Sequence, residues 1–439
     1  MEQLSPLLIG LAALVVVVVL ILGGIHVAAA LFIVGIAGLS IVRGFGVAYD
    51  ALAYIPYAIV ANYNNAIFPL FLFMGELASV AGITAMLFDG AEAWLGRIRG
   101  GLAMAVSTMA CALGAVTGSA LAACAMMTRA AFPEMVRHKY DPATIAGVIA
   151  ASAPLAVIIP PSIGLAFYGT LTEESVGKLL IAGVIPGVMG GVIYIGLIFV
   201  LATFNPKKWP VANVQFTWGD RRRGVVSMMP ILMMMAIVLG GLYAGVFSPS
   251  EAGAAGAFVL VGFVVYFRRG EAPRACWDAV WGAVRAIAML AWILMGALFF
   301  SRFMALTGAS EQIVIAIAAL PIGKYGIFAL LVVLFLFLGC FLEPLPMMAI
   351  TLPVVHPLIK QLGLDPIWFG VVLQVLVGCG MITPPFGFNV FGVKALIGDA
   401  AELMAIFKAA LPFLIAMLLM ILILTIFPQI ALFLPEMMA

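Results

Sequence analysis

Long apolar runs separated by short polar punctuation dominate this chain, and the runs have membrane length. About 20 consecutive apolar residues in a helix cross the hydrocarbon core of a bilayer. Runs of that order lie at 5–22, 26–42, 66–88, 143–168, 179–203, 226–247, 251–267, 283–304, 366–392 and 403–427, and each predicts a spanning helix. Two further runs, 100–132 and 326–358, are interrupted near their middles. The first is broken by Thr117-Gly118-Ser119-Ala120, the second by Glu343-Pro344-Leu345-Pro346. Each predicts a re-entrant hairpin that turns at mid-depth and leaves by the side it entered. Residues 44–61, beside Arg43 and carrying Asp50 and several tyrosines, predict an interfacial helix.

The punctuation repeats. Asp141-Pro142 precedes an apolar run that ends in Ile159-Pro160-Pro161-Ser162-Ile163-Gly164, and Asp365-Pro366 precedes one that ends in Thr383-Pro384-Pro385-Phe386-Gly387. Asp141 and Asp365, Pro160 and Pro384, Pro133 and Pro357, and Ser119 and Glu343 are each 224 residues apart. Proline lacks the N–H and clashes with the preceding turn, so a proline pair breaks a helix. Unpaired backbone is expensive in hydrocarbon and persists only where it lines a protected cavity. Matched breaks in two halves point to the central site of a transporter. Each half therefore reads as hairpin, broken helix, closing helix.

Loop charge sets the expected topology. The loop 204–225 carries Lys207, Lys208, Arg221, Arg222 and Arg223 against one acid, Asp220, and Arg268, Arg269 and Arg274 follow two spans later. Both loops should be cytoplasmic. Counting from them, the first hairpin opens from the cytoplasmic side, flanked by Arg97, Arg99, Arg137 and Lys139. The second opens from outside, flanked only by Lys324 and Lys360. The repeats are then inverted, and both termini face the periplasm. Glu2 and the lack of a basic leader make 5–22 a retained first helix rather than a cleaved signal.

Composition agrees: 65% of the 439 residues are hydrophobic and 9% are charged, so there is little room for a soluble module. The net charge of +2 gives no reason to invoke nucleic acid. Five cysteines lie singly without CxxC spacing and read as small packing residues. No G-x-x-x-x-G-K-[ST] occurs, so the chain does not hydrolyse ATP through a P-loop. His26, His138 and His356 are scattered, no HExxH occurs, and no Ser/His/Asp set suggests a hydrolase. The expectation is no enzyme and no organic cofactor.

Hairpin tips and proline breaks are where chemistry is expected. Half-helix C-termini present carbonyls to a small hard cation, and half-helix N-termini suit a carboxylate. Gly118 and Gly387 permit tight turns. Ser119, Ser162 and Thr383 offer hydroxyl oxygens, with Ser152 and Asn389 nearby. Glu343 is the sharpest single residue, because a mid-membrane acid normally has a partner or a task. It could hold a cation or a proton. Glu76 reads instead as a hydrogen-bonding scaffold residue. Arg129 and Arg302 read as snorkelling residues near segment ends.

The run Phe68-Pro69-Leu70 to Glu76, then Gly118-Ser119-Ala120, Pro133-Glu134-Met135, Ile158 to Ile163, Ala182 to Gly187, Ser248-Pro249-Ser250-Glu251-Ala252-Gly253, and Ile382 to Phe391 resembles the large membrane subunit of tripartite ATP-independent periplasmic (TRAP) transporters. The resemblance covers nearly the whole chain. It implies an all-α polytopic protein of the bacterial inner membrane, an inverted-repeat elevator transporter with two re-entrant hairpins and two broken helices. It implies sodium-coupled import of an organic acid, delivered by a periplasmic substrate-binding protein (P), with a small four-helix membrane subunit (Q) as partner. The implied sodium ligands are Gly118, Ser119, Ala120, Pro160 and Ser162 at the first site, and Glu343, Thr383, Pro384 and Gly387 at the second. The implied substrate contacts are Ser119, Ser152, Pro161, Ser162, Thr383, Pro385 and Asn389. The transport domain would comprise 95–168 and 320–392, and the scaffold 1–94, 169–319 and 393–439. A self-sufficient dicarboxylate exchanger that needs no binding protein is the alternative.

Overall fold

A computed structural model of the chain describes residues 5–206, 208–211 and 217–438. Among these residues all regular structure is helical. Five helical stretches are long and apolar enough to cross a membrane, and up to seven if each sharply bent pair counts as one. The shortfall from ten expected spans has a simple cause. Several of the apolar runs form helices of 10–17 residues or are broken along their length.

Both hairpins form. The first joins Gly101–Thr117 to Ala120–Arg137 through Gly118 and Ser119. Gly118 sits at φ +54°, a conformation that disfavours a side chain. Ser119 opens the second arm by accepting from the Ala122 amide at 3.4 Å. The second hairpin joins Gly323–Phe341 to Pro344–Gln361 through Leu342 and Glu343. Its turn is made differently. Leu342 is extended, and Pro344 starts the arm at a position where its missing N–H costs nothing.

Both broken helices form, with matching local chemistry. Asp141 caps Pro142–Ser152, and Asp365 caps Pro366–Gly380, each by accepting from backbone amides in the first turn. The first breaks after Ile158 and resumes as Ile163–Thr172, bent by 46°. The second breaks after Gly380 and resumes as Phe388–Ile397. Pro160–Pro161 and Pro384–Pro385 are both cis. Lys139 and Gly363, again 224 apart, both have positive φ just before the capping aspartates.

The two broken helices pack along each other in opposite directions. Tyr168 packs against Gly370, Gly164 against Gln374, and Pro154 against Gly378. Asn389 Nδ2 donates to the Ala150 carbonyl at 3.2 Å. Residue numbers fall along one partner as they rise along the other, so the repeats are antiparallel. Each tip also stays with its own break. Gly118 approaches Ile163, and Cys340 Sγ donates to the Pro384 carbonyl at 3.4 Å.

Several boundaries differ from the sequence expectation. The run 66–88 is two helices, Ile67–Val80 and Ile83–Leu95, because Gly82 turns the chain at φ +74°. Arg268 Nε satisfies the freed Val80 carbonyl at 2.8 Å. The run 179–203 is Val176–Ala182 and Val184–Phe204, and 283–304 is part of a longer helix, Ala272–Leu306. The run 44–61 forms the helix Phe45–Ala61, with Phe45, Tyr49, Tyr54 and Tyr57 exposed, and it meets the next helix at 57°, so that the two together are also long and apolar enough for one bent span. Arg129 is exposed in the interior of a hairpin arm rather than near its end, while Arg302 lies in the last turns of Ala272–Leu306. Glu2 and Lys207 lie outside the described residues.

Candidate functional site

The two hairpin tips, 224 residues apart in sequence, line one cavity of about 370 Å³. That volume falls in the usual range for a small-molecule site. The first tip contributes 117–122, the second Glu343, Pro344, Leu345 and Pro346. The first broken helix adds Val157, Ile163 and Gly164, and the second adds Gln374 and Met381. The far wall comes from Ile67–Val80, with Glu76 and Ser79, and from Ala272–Leu306, with Met289 and Ile293.

The wall carries two carboxylates, Glu76 and Glu343, and no lysine, arginine or histidine. Among the described residues neither carboxylate has a hydrogen-bond or ion-pair partner. Glu76 is therefore not the hydrogen-bonding scaffold residue expected from sequence. It abuts Gly282, whose missing side chain makes room for it: a Cβ there would lie 2.6 Å from Glu76 Cδ. Two acids without partners in a largely apolar wall, with no basic residue beside them, make the cavity a setting that favours a cation.

The expected site residues divide into three groups. Gly118, Ser119, Ala120 and Glu343 line the cavity. Pro160, Pro161 and Ser162 are buried just behind it. The Ser162 hydroxyl is committed: it donates to the Val157 carbonyl at 2.5 Å and accepts from the Leu165 amide at 3.2 Å. Ser152 is also buried and is bonded to Ser107, Oγ to Oγ, at 3.0 Å. Thr383, Pro384, Pro385 and Gly387 lie outside the cavity wall. Thr383 Oγ1 donates back to the Cys379 carbonyl at 2.7 Å, and Pro384 and Pro385 are exposed. The first break is thus sealed in protein and the second is open on one side.

Two amides carry the strongest polar signal in the interior. Gln374 is fully buried on the cavity wall, and its Nε2 reaches both the Val157 carbonyl and Ser162 Oγ at 3.3 Å. Its Oε1 has no partner. Asn389 is also fully buried; Nδ2 is used on Ala150, and Oδ1 has no partner. A buried carbonyl oxygen without a donor loses its hydration and gains nothing, so each is poised to accept. Asn389 was anticipated from sequence and Gln374 was not. A lone glutamine in the apolar run 366–392 was the available signal.

An all-helical, multi-pass membrane protein whose two antiparallel repeats bring hairpin tips to one interior cavity is a permease by architecture. The model of the DctM component of tripartite ATP-independent periplasmic transporters matches residues 14–430, and the chain belongs to that family. It is similar to the C4-dicarboxylate TRAP transporter large permease protein of Pseudomonas aeruginosa, at 33% identity over 85% of this chain and 87% of that one. It is also similar to the ectoine/5-hydroxyectoine TRAP transporter large permease protein of Ruegeria pomeroyi, at 30% identity over 84% and 85%. The crystal structure of the Alcanivorax borkumensis YdaH transporter, described as having an unusual topology, superposes with a TM-score of 0.51 at 18% identity, covering 88% of each chain. That likeness concerns fold alone. The chain is the large permease subunit of a TRAP transporter, and its relatives are transporters rather than enzymes.

Proposed function

We propose that this chain imports an organic acid anion through the inner membrane, coupled to sodium and supplied by a periplasmic binding protein. The observation that carries the proposal is the shared cavity: two hairpin tips, two unpaired carboxylates, no base. An anion cannot enter such a cavity first, because it would meet two negative charges in a low dielectric. Sodium binding to the tips removes that barrier and organises the turns. Only then does the substrate carboxylate meet the half-helix N-termini at Ala120 and Ile163. Hard oxygen donors suit sodium, and this interior supplies them in Ser119, Glu343, the unpartnered Gln374 Oε1 and the backbone of the tips. Thr383, Pro384 and Gly387 join the second site once the open break closes over it. Asn389 and Ser152, buried behind the cavity, then hold the substrate side of the site together.

In this mechanism the hairpins and broken helices, 95–168 and 320–392, move as one elevator body against the rest of the chain. The scaffold meets a small membrane subunit. Both termini face the periplasm, where the binding protein docks. The membrane potential contributes about 2.3 kcal/mol per net charge moved per 100 mV, and it helps only when sodium charge exceeds substrate charge. The relative named for a C4-dicarboxylate supports testing dicarboxylates first, with ectoine, named for another relative, alongside. The experiment is uptake into proteoliposomes containing this chain with the small subunit and the binding protein. Uptake driven by a sodium gradient is expected, and uptake indifferent to sodium would refute the coupling. Uptake by this chain alone would favour the self-sufficient exchanger.

A further inference from the structure

A second constellation lies away from the cavity, at the open end of the first hairpin. Glu134 and His138 are one helical turn apart at the end of Ala120–Arg137 and share a face. Glu92 faces them from Ile83–Leu95, the helix that leads into this hairpin. The donor atoms of Glu92, Glu134 and His138 all lie within 4.8 Å of one another. Glu134 splits its carboxylate: Oε2 meets Arg137 at 2.9 Å, and Oε1 points to His138 Nε2 at 3.3 Å. Asp89, exposed one turn before Glu92, adds another acid.

Glu92 makes the cluster more than a collection of surface acids. It is nine-tenths buried, and among the described residues it has no hydrogen-bond or ion-pair partner. A buried acid facing a second acid is held there at a cost unless a cation lies between them. The transport reading uses none of these residues.

We infer that Glu92, Glu134 and His138 form a site for a first-row divalent cation of the zinc type. Two carboxylates with one imidazole suit such an ion, whereas magnesium and calcium prefer all-oxygen shells. Tetrahedral zinc with bonds of about 2.0–2.2 Å needs donors roughly 3.3–3.6 Å apart. Rotation of the two glutamate side chains supplies that contraction, and water takes the fourth position. The ion would tie the helix entering the first hairpin to the arm that leaves it. The site does not depend on the transport reading, and its test reads binding rather than uptake.

The test is calorimetric titration of zinc chloride into the full, tag-free chain in detergent after chelator treatment. One equivalent is expected to bind, accompanied by a rise in thermal midpoint. Glu92→Gln and His138→Ala should each weaken binding at least about tenfold. X-ray absorption at the zinc edge of the parent protein should show a nitrogen and oxygen shell with one imidazole, and this holds even if a variant fails to fold. No binding, undiminished binding in both variants, or a sulfur ligand from a cysteine would each overturn the assignment.

Discussion

Ser162→Ala should destabilise the protein by about 2 kcal/mol, and the figure follows from two hydrogen bonds. The side chain is fully buried. Its oxygen caps Ile163–Thr172 by accepting from the Leu165 amide, and losing such a cap costs about 1 kcal/mol. Its hydroxyl donates to the Val157 carbonyl, and that bond contributes about 1 kcal/mol net. Gln374 Nε2 still reaches Val157, so the carbonyl is not orphaned, which keeps the total near the sum rather than above it. Ser119→Ala makes the comparison: Ser119 is only partly buried and holds a single bond at 3.4 Å, so the loss should be under about 1 kcal/mol. A thiol-reactive dye provides the assay, because Cys124 and Cys379 are buried and react only on unfolding. Ser162→Ala should lower the midpoint clearly more than Ser119→Ala. Equal midpoints would refute the claim that the first break is locked by this network.

Gly380→Ala should destabilise by about 1–3 kcal/mol, since its Cβ would lie 2.5 Å from the Gly339 Cα, backbone against backbone. Gly262→Ala, which meets nothing within 4 Å, is the control, and similar midpoints for the two would contradict the packing of the second hairpin on its broken helix. Glu92 supplies a pH signature in metal-free protein. Its carboxyl is raised to about 7 in the fold. Between the ordinary carboxylate range and about pH 7 the unfolded chain ionises this group while the folded chain keeps it protonated, so stability falls as pH rises across that window. Glu92→Gln should remove this part of the decline, and superimposable pH profiles for parent and variant would contradict the burial of an unpaired acid there.

Local chemistry was readable in the chain, and long-range pairing was not. Proline pairs, capping aspartates and glycine turns act within a few residues, so the 224-residue repeat announced both hairpins and both broken helices. The same local logic missed Gly82, where one glycine in an apolar run became a helix boundary through its partner Arg268, 186 residues later. Gln374 and Ser162 illustrate the limit better. Whether a buried hydroxyl is free to bind a ligand depends on who else uses it, and the amide that does so lies in the other repeat. Symmetry misled in one respect. Equivalent proline motifs suggested equivalent surroundings, yet Pro160 and Pro161 are sealed while Pro384 and Pro385 are exposed. Two chemically similar segments need not be buried alike in an asymmetric state. The Glu92 cluster escaped notice because its members come from two helices that only the fold places face to face.

The central claim is that tips from opposite repeats build one cation-dependent cavity. Sodium titration of uptake in proteoliposomes with both partner proteins tests it most directly, for the parent, Ser119→Ala, Glu343→Gln and the double variant. The account predicts that each single change raises the sodium concentration needed for half-maximal uptake, and that the double effect departs from the product of the two, as expected for residues sharing a site. Sodium dependence unchanged in both single variants would contradict it.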